Sequence, residues 1–574
     1  MSQTIKEQLL KLFRGVCAKP VKPLENRLNP KKQSYSPRRS AENKKFSQER
    51  HWVLRDSPQN ATSVLPTIVP ERQNQSAVTH SAKTVQPPHV SNRKTTCITG
   101  IAADARLNLS SARYLENYQL LSEEKLGIES RFDDNGTEIK VGLDFGTSTV
   151  KVVIKTDIDF IAVPFIQAEG ISAYLLPTQL HRRKGGTFSL SSKDPVNRLD
   201  LKLQLLENSQ SRQAQIYASI FLALVLRHVR SWLFSTYSRY DEQTIAWECS
   251  IGYPSTDNDS QAASIWKELI YRSWILSVQP GEISFPEAEQ FWKRPLEDFE
   301  ERISFDYFNC MPEVVAAVAG FLRNQPVYDD FKGNYTLIDI GSGTVDISAF
   351  SFQTIPNQHS YSRTLFSTQV EHLGTSNCHH SRLTWLKNLM LKSKESAEFI
   401  DEEKSQFTQF IQEIDEEMHE VLLSPIKNSV CEYFSGLQVV FGSPSPDTEI
   451  TKALTNLLAK VRFACDRKRV LSRDDISRMP VFLCGGGARS RFYRGAFLRQ
   501  HPNISWLNIK KVLENDVIKE LANSMIIPID IKDYDRLLVA YGLSAIDPPK
   551  SFIATERKEF SVKYCASFVS KEMI

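Results

Sequence analysis

Short apolar runs, rich in β-branched residues and broken by glycine, aspartate and hydroxyls, recur along the chain from residue 139 onward. They predict strands over 139–144 and 150–154, 245–252, 336–340 and 345–350, and 480–484. Between them apolar positions return at helical spacing over 213–237, 260–274, 312–323, 381–422 and 448–466. Strands punctuated by long helices predict an α/β fold. The most apolar stretch, 216–226, is shorter than the roughly 18 residues a membrane span needs and is closed by Arg227-His228, so no span is expected.

Upstream the pattern fades. Residues 18 to 105 are dominated by Pro, Ser, Asn, Gln, Lys and Arg, and such a segment buries too little apolar surface to offset its ordering entropy. A disordered leader is therefore expected over 1–105, opening on a short amphipathic helix (Ile5, Leu9, Leu10 and Phe13 with Lys6, Lys11 and Arg14 between). A helical lead-in, strongest over 107–128, follows over 106–138. Residues 1–100 hold 18 Lys and Arg against 6 Asp and Glu, whereas the whole chain carries +4, so a basic leader precedes an acidic body. That leader suits an acidic protein partner or nucleic acid, and the lack of aromatic interleaving or a nucleic-acid module favours the protein. Nine scattered cysteines without a C-x-x-C pair predict free thiols in a reducing compartment, hence a cytoplasmic protein. Cys378-His379-His380 has no second ligand pair at metal-site spacing.

One signature occurs twice. Val141-Gly142-Leu143-Asp144-Phe145-Gly146-Thr147-Ser148-Thr149-Val150-Lys151 is repeated 195 residues on as Thr336-Leu337-Ile338-Asp339-Ile340-Gly341-Ser342-Gly343-Thr344-Val345-Asp346. Each is a strand delivering an Asp, then a glycine and hydroxyl turn, then a second strand. Either alone reads as an ordinary hairpin or as half of a phosphate clamp. Glycine lets backbone amides approach an anion, hydroxyls add donors, and a strand-end carboxylate holds a hydrated cation. A third piece, Val481-Phe482-Leu483-Cys484-Gly485-Gly486-Gly487-Ala488-Arg489, is a buried strand running into a triple-glycine turn, the setting in which a nucleoside lies against backbone.

In this order the three pieces resemble the phosphate-1, phosphate-2 and adenosine motifs of the actin, heat-shock-70 and sugar-kinase superfamily, closest to the heat-shock-70 nucleotide-binding domain. Met311-Pro312-Glu313 with the small residues to Gly320 resembles the connect-1 helix, and Tyr534 to Ala545 resembles connect-2. Ile251-Gly252-Tyr253-Pro254 and His372-Leu373-Gly374 resemble further turns of that family. The resemblance implies a two-lobed actin-like ATPase fold of duplicated RNase H-like domains with helical insertions: lobe I over 139–336, lobe II over 337–545 and a tail over 546–574.

It also implies ATP and Mg²⁺ as ligands. Gly146, Thr147, Ser148, Lys151, Gly341, Ser342, Gly343, Thr344, Gly485, Gly486, Gly487 and Arg489 would bind nucleotide, and Asp144, Asp339 and Asp346 would hold the metal. Glu313, Thr344, Lys202 and Asp144 would be catalytic, with Glu313 orienting water. Lys202 otherwise reads as a solvated helix charge. Lys151 matches the phosphate lysine of actins and kinases rather than the chaperones. In the insertion no chaperone-like adenine face is legible among Glu395, Glu413, Lys427 and Ser429. The 29 residues after Ala545 are too few for a peptide-binding sandwich and lid, so no peptide-clamping cycle is expected within these 574 residues. The expected function is a slow ATP-hydrolysing, heat-shock-70-like switch acting through a protein partner. The alternatives are a kinase for a sugar-like molecule, with Ser255 to Asp259 as a polar candidate for its pocket, and a nucleotide-gated filament or scaffold.

Overall fold

β-branched pairs with glycine turns build two sheets of the same design. The computed structural model describes residues 97–545 apart from 110–117, 122–131, 199, 241–242, 255–259, 301–302, 325–332, 355–360, 420–421, 423–425, 441–445, 501–502 and 514–515. The expectations for residues 1–96, for 255–259 and for 546–574 lie outside the described residues. The chain divides into a unit over Met1–Pro87 and one over Pro88–Ile574, and everything below concerns the second.

In the first sheet, β1 (Phe132–Phe145), β2 (Thr149–Lys155) and β3 (Phe160–Ala162) are antiparallel neighbours, while β4 (Ile245–Tyr253) runs parallel to β1 and β5 (Phe308–Pro312) parallel to β4. The second repeats the plan. β6 (Gly333–Ile340), β7 (Val345–Thr354) and β8 (Tyr361–Glu371) are antiparallel, β9 (Val481–Cys484) is parallel to β6, and β10 (Val512–Leu513) is parallel to β9. A short sixth strand, Leu176–Pro177, also pairs antiparallel with β2, and the five strands common to both sheets, numbered by their order within each half, read 3-2-1-4-5. The protein is thus mixed α/β, with its sequence repeat matched by a repeat of topology.

Helices supply the packing. After the short α1 (Leu201–Glu207), α2 (Arg212–Thr236) runs through the core of the first sheet beside α3 (Ser260–Val278). Among the described residues α2 is the one helix long and apolar enough to cross a membrane, and 94% of its most apolar window is buried inside the fold. Its buried Arg227 donates to the carbonyls of Ser277, Gln279 and Gly281, and Arg230 to that of Ser277, so these two cations satisfy the open end of α3.

α4 (Glu313–Asn324) follows β5 directly. The helix expected over 381–422 is two, α5 (Thr375–Lys394) and α6 (Asp401–Glu417). Lysines in the last turn of α5 and Asp401, Glu402 and Glu403 in the first of α6 favour a stop and a restart at that break. α7 (Pro446–Arg467) covers the second sheet, and α8 (Leu538–Ala545) ends the described chain.

Residues 110–117 and 122–131 of the expected helical lead-in lie outside the described residues, and what flanks them differs from expectation. Residues Cys97–Leu107 form a strand antiparallel to Phe434–Val440, so the end of the expected disordered leader is ordered by backbone pairing that composition does not reveal. Leu120 bridges Ile166, and β1 already begins at Phe132, within the expected helical lead-in.

α4 and α8 form the layer shared by both sheets: their apolar faces pack in one cluster with Val153 and Phe160 of the first and Leu337, Phe350 and Phe482 of the second. The two helices cross backbone to backbone. A Cβ at Gly542 would lie 1.9 Å from the Ala316 carbonyl oxygen, and one at Gly320 would lie 2.5 Å from that of Leu538. Gly142 of β1 meets α8 in the same way, 2.2 Å from the Ala540 oxygen. Because backbone cannot yield as a side chain does, Gly542→Ala is expected to destabilise the protein by about 1–3 kcal/mol. Gly495→Ala, in an exposed helical position with nothing within 4 Å, is the control and leaves stability unchanged or raised; urea unfolding of both variants measures the contrast.

Candidate functional site

The two Asp-Gly signatures form matching hairpins. Asp144 pairs with Lys151 across the first and Asp339 with Asp346 across the second. Each turn closes with a glycine amide on a threonine carbonyl, Gly146 on Thr149 at 3.1 Å and Gly341 on Thr344 at 2.9 Å.

What lies behind the turns orients them. The carbonyls of Gly341, Ser342 and Gly343 accept from the amides of Thr375, Ser376 and Gly374, at the start of α5, at 2.9–3.2 Å. A trans peptide points the next residue's N–H the opposite way, so Ser342, Gly343 and Thr344 present their amides away from α5. The first turn is tied likewise: Thr178 Oγ1 donates to the Gly146 carbonyl at 2.8 Å, and the Thr178 amide to that of Ser148 at 2.9 Å. The turns face each other closely, since a Cβ at Gly343 would lie 2.8 Å from Thr147 Oγ1.

Between them lies a cleft open to solvent. Its walls bring together Asp144, Gly146, Thr147, Ser148, Lys151, Lys202, Glu313, Asp339, Gly341, Ser342, Gly343, Thr344, Asp346 and the Gly485, Gly486 and Gly487 turn, every site residue singled out from the sequence but one. The exception is Arg489. Its guanidinium bonds Asp533 at 2.8 Å, Asp535 at 2.7 Å and the carbonyls of Gly485 and Lys532, so it braces the glycine turn from behind instead of lining the cavity. Sequence reading missed Asp535 and Arg536 in the wall, because a Tyr-Asp-Arg triplet looks like ordinary charge at a helix start.

Local geometry explains several placements. Lys202, in the first turn of α1, is buried and donates to Glu313 Oε1 at 2.5 Å, so it is no solvated surface charge. Glu313, the first residue of α4, fits because Gly252 lacks a side chain: a Cβ there would lie 2.7 Å from Glu313 Cγ. Gly485, at φ +81°, gives way to Asp339 in the left-handed region that glycine tolerates. Lys151 Nζ sits 2.9 Å from Asp144 Oδ2.

Two buried polar atoms of the wall, Ser148 Oγ and Asp346 Oδ1, have no hydrogen-bond partner. Orphaned buried acceptors and donors are costly, so a polar ligand or ion in the cavity would satisfy them. Among the described residues no three His, Cys, Asp or Glu side chains are grouped so as to hold a metal ion by themselves. Cys378-His379-His380 is built into the insertion, with His379 bonded to Tyr433 Oη at 2.9 Å and Glu417 Oε1 at 3.1 Å.

The carboxylates shape the electrostatics. Burial, then Asp144 and Glu313, push Asp339 up to about 7, and burial with Asp339 raises Asp346 well above the carboxylate range. Burial also raises Glu313 against the pull of Lys202. Lys202 is depressed by burial, but Glu313 and then Asp144 and Asp346 more than offset this, so it is held charged. The cavity is over-supplied with carboxylate and primed to accept a cation.

No protein-family model matches the chain, and no curated protein matches it.

The Asp339 shift has a stability consequence. Its folded state keeps a proton that the unfolded chain releases near pH 4, so its contribution is full below that pH and is lost as pH rises through about 7. Thermal melts in EDTA are expected to show stability declining across this window, and Asp339→Asn is expected to flatten the decline.

Proposed function

We propose that this protein is an ATP-binding, slowly ATP-hydrolysing nucleotide switch with a two-lobed actin-like fold of duplicated RNase H-like halves, nearest in design to the heat-shock-70 nucleotide-binding domain and acting through a protein partner. One observation carries the reading: the three glycine-bearing turns singled out as phosphate-1, phosphate-2 and adenosine motifs, from distant parts of the chain, line one cavity together with Glu313 and Lys202. The 3-2-1-4-5 order in both sheets and the crossing of α4 and α8 support it further.

On this reading, the outward amides of Ser342, Gly343 and Thr344 and the hydroxyls of Thr147 and Ser148 take phosphate oxygens. Lys202 offsets charge on the transferring phosphoryl group. Glu313, raised by burial, accepts a hydrogen bond from the attacking water and aligns it. Asp144, Asp339 and Asp346 would hold Mg²⁺ through its water shell, and the ion would neutralise phosphate oxygens that the carboxylates alone repel. Their spread around the cavity suits an ion that shares its shell with phosphate, and the orphaned Asp346 Oδ1 suits one of its waters. The Lys202–Glu313 pair favours hydrolysis over transfer, because it sets a water-aligning carboxylate beside the paired phosphate turns. α4 and α8 form the hinge through which closure on nucleotide would reach the surface.

Mg-ATP at about 100 times its dissociation constant is expected to stabilise the protein by about 2.7 kcal/mol. The double variant Asp144→Asn with Asp339→Asn is expected to lose that thermal shift. Glu313→Gln is expected to keep the shift while phosphate release falls by about 10²–10⁴. Unchanged phosphate release in the double variant overturns the ATPase assignment.

A further inference from the structure

Arg536 stands apart from the other cations of the site. Lys151 is paired with Asp144 and Lys202 with Glu313. Arg536 also lines the cavity, yet no hydrogen bond or ion pair joins its guanidinium to another described residue. Its nearest acids on the chain are already engaged, since Asp533 and Asp535 both accept from Arg489. The guanidinium lies against Gly486: a Cβ there would be 3.3 Å from Cζ, 3.5 Å from Nη1 and 3.6 Å from Nη2. Near-equal distances to these three atoms mean that the plane faces the glycine, so the N–H donors, which lie in that plane, are not spent on the turn. Gly486 has no positive φ to explain it. Its lack of a side chain makes room for the cation.

The location separates Arg536 from Lys202. Lys202 feels Glu313, Asp144 and Asp346, and its neighbour Leu203 abuts Gly343 where the two hairpins meet. Arg536 feels Arg489, Asp535, Asp533 and Asp144, beside the triple-glycine turn. The cavity therefore has two cationic centres, one at the paired phosphate turns and one at the glycine turn.

We propose that Arg536 binds the phosphate nearest the nucleoside, donating in-plane N–H groups to its oxygens across Gly486. This rests on the nucleotide-binding reading above and adds a contact that the sequence motifs do not announce. Burial and the adjacent Arg489 hold Arg536 below the usual guanidinium range, the mark of a cation short of counter-charge, which an anionic oxygen would relieve.

The test is a titration of the full chain, with Mg²⁺, by ATP, ADP, AMP and adenosine, comparing wild type with Arg536→Ala, Arg536→Gln and Arg536→Lys. A charge-assisted hydrogen bond to phosphate predicts that Arg536→Ala weakens ATP, ADP and AMP alike by about 10- to 100-fold, leaves adenosine unchanged, and is partly rescued by Arg536→Lys. The preference for AMP over adenosine within any one folded variant reports the contact even where the alanine variant fails to fold. Equal weakening of adenosine identifies a merely structural role, weakening of ATP alone moves the contact to the terminal phosphate, and unchanged affinities remove it; each overturns the proposal. Wild type that binds none of the four ligands overturns the nucleotide reading itself, and this proposal with it.

Discussion

The structure depends on a place where two helices touch without side chains between them. Gly320 and Gly542 let α4 and α8 cross at backbone distance, and Gly142 lets β1 press on α8. The same pair packs against apolar residues of both sheets. A thicker joint would part the surfaces that α4 and α8 hold together, and with them the opposed turns at Thr147 and Gly343. The cavity is therefore set by small residues far from its own chemistry.

The second constraint is electrical. Asp144, Glu313, Asp339, Asp346 and Asp535 line the cavity, against Lys151, Lys202 and Arg536. Arg489 offsets Asp535 from behind, and backbone amides turned inward add partial positive charge. The rest is left uncompensated, which is why burial raises Asp339 and Asp346 instead of being answered by a partner. A fold that only needed stability would place apolar residues there. Retaining acids at this cost marks the cavity as a candidate functional site.

Much of this was legible in residue order. Asp144, Gly146, Thr149 and Lys151 recur as Asp339, Gly341, Thr344 and Asp346 because each pair holds the same position in a matching hairpin. The strands carrying them were readable from β-branched runs, and α2 from its unbroken apolar stretch. Other features depend on contacts between distant segments. Apart from the family resemblance, Lys202 reads as a surface charge until α1 is seen to bury it on Glu313. Arg489 and Arg536 are alike in sequence, and only the carboxylates of Asp533 and Asp535 decide which is a brace and which faces the cavity. The strand Cys97–Leu107 has little pattern of its own and is held by pairing to a partner more than 300 residues away.

That pairing gives the molecule a line of force. The strand Cys97–Leu107 is laced to Phe434–Val440, and Leu109 and Tyr433 beside it share a cluster with Leu383 and Leu386 of α5. α5 is one unbroken helix of 20 residues, a rod of about 30 Å, and its first amides hold the carbonyls of the Gly341 to Gly343 turn. A pull on the strand Cys97–Leu107 thus bears on the middle of a stiff rod whose first amides grip that turn.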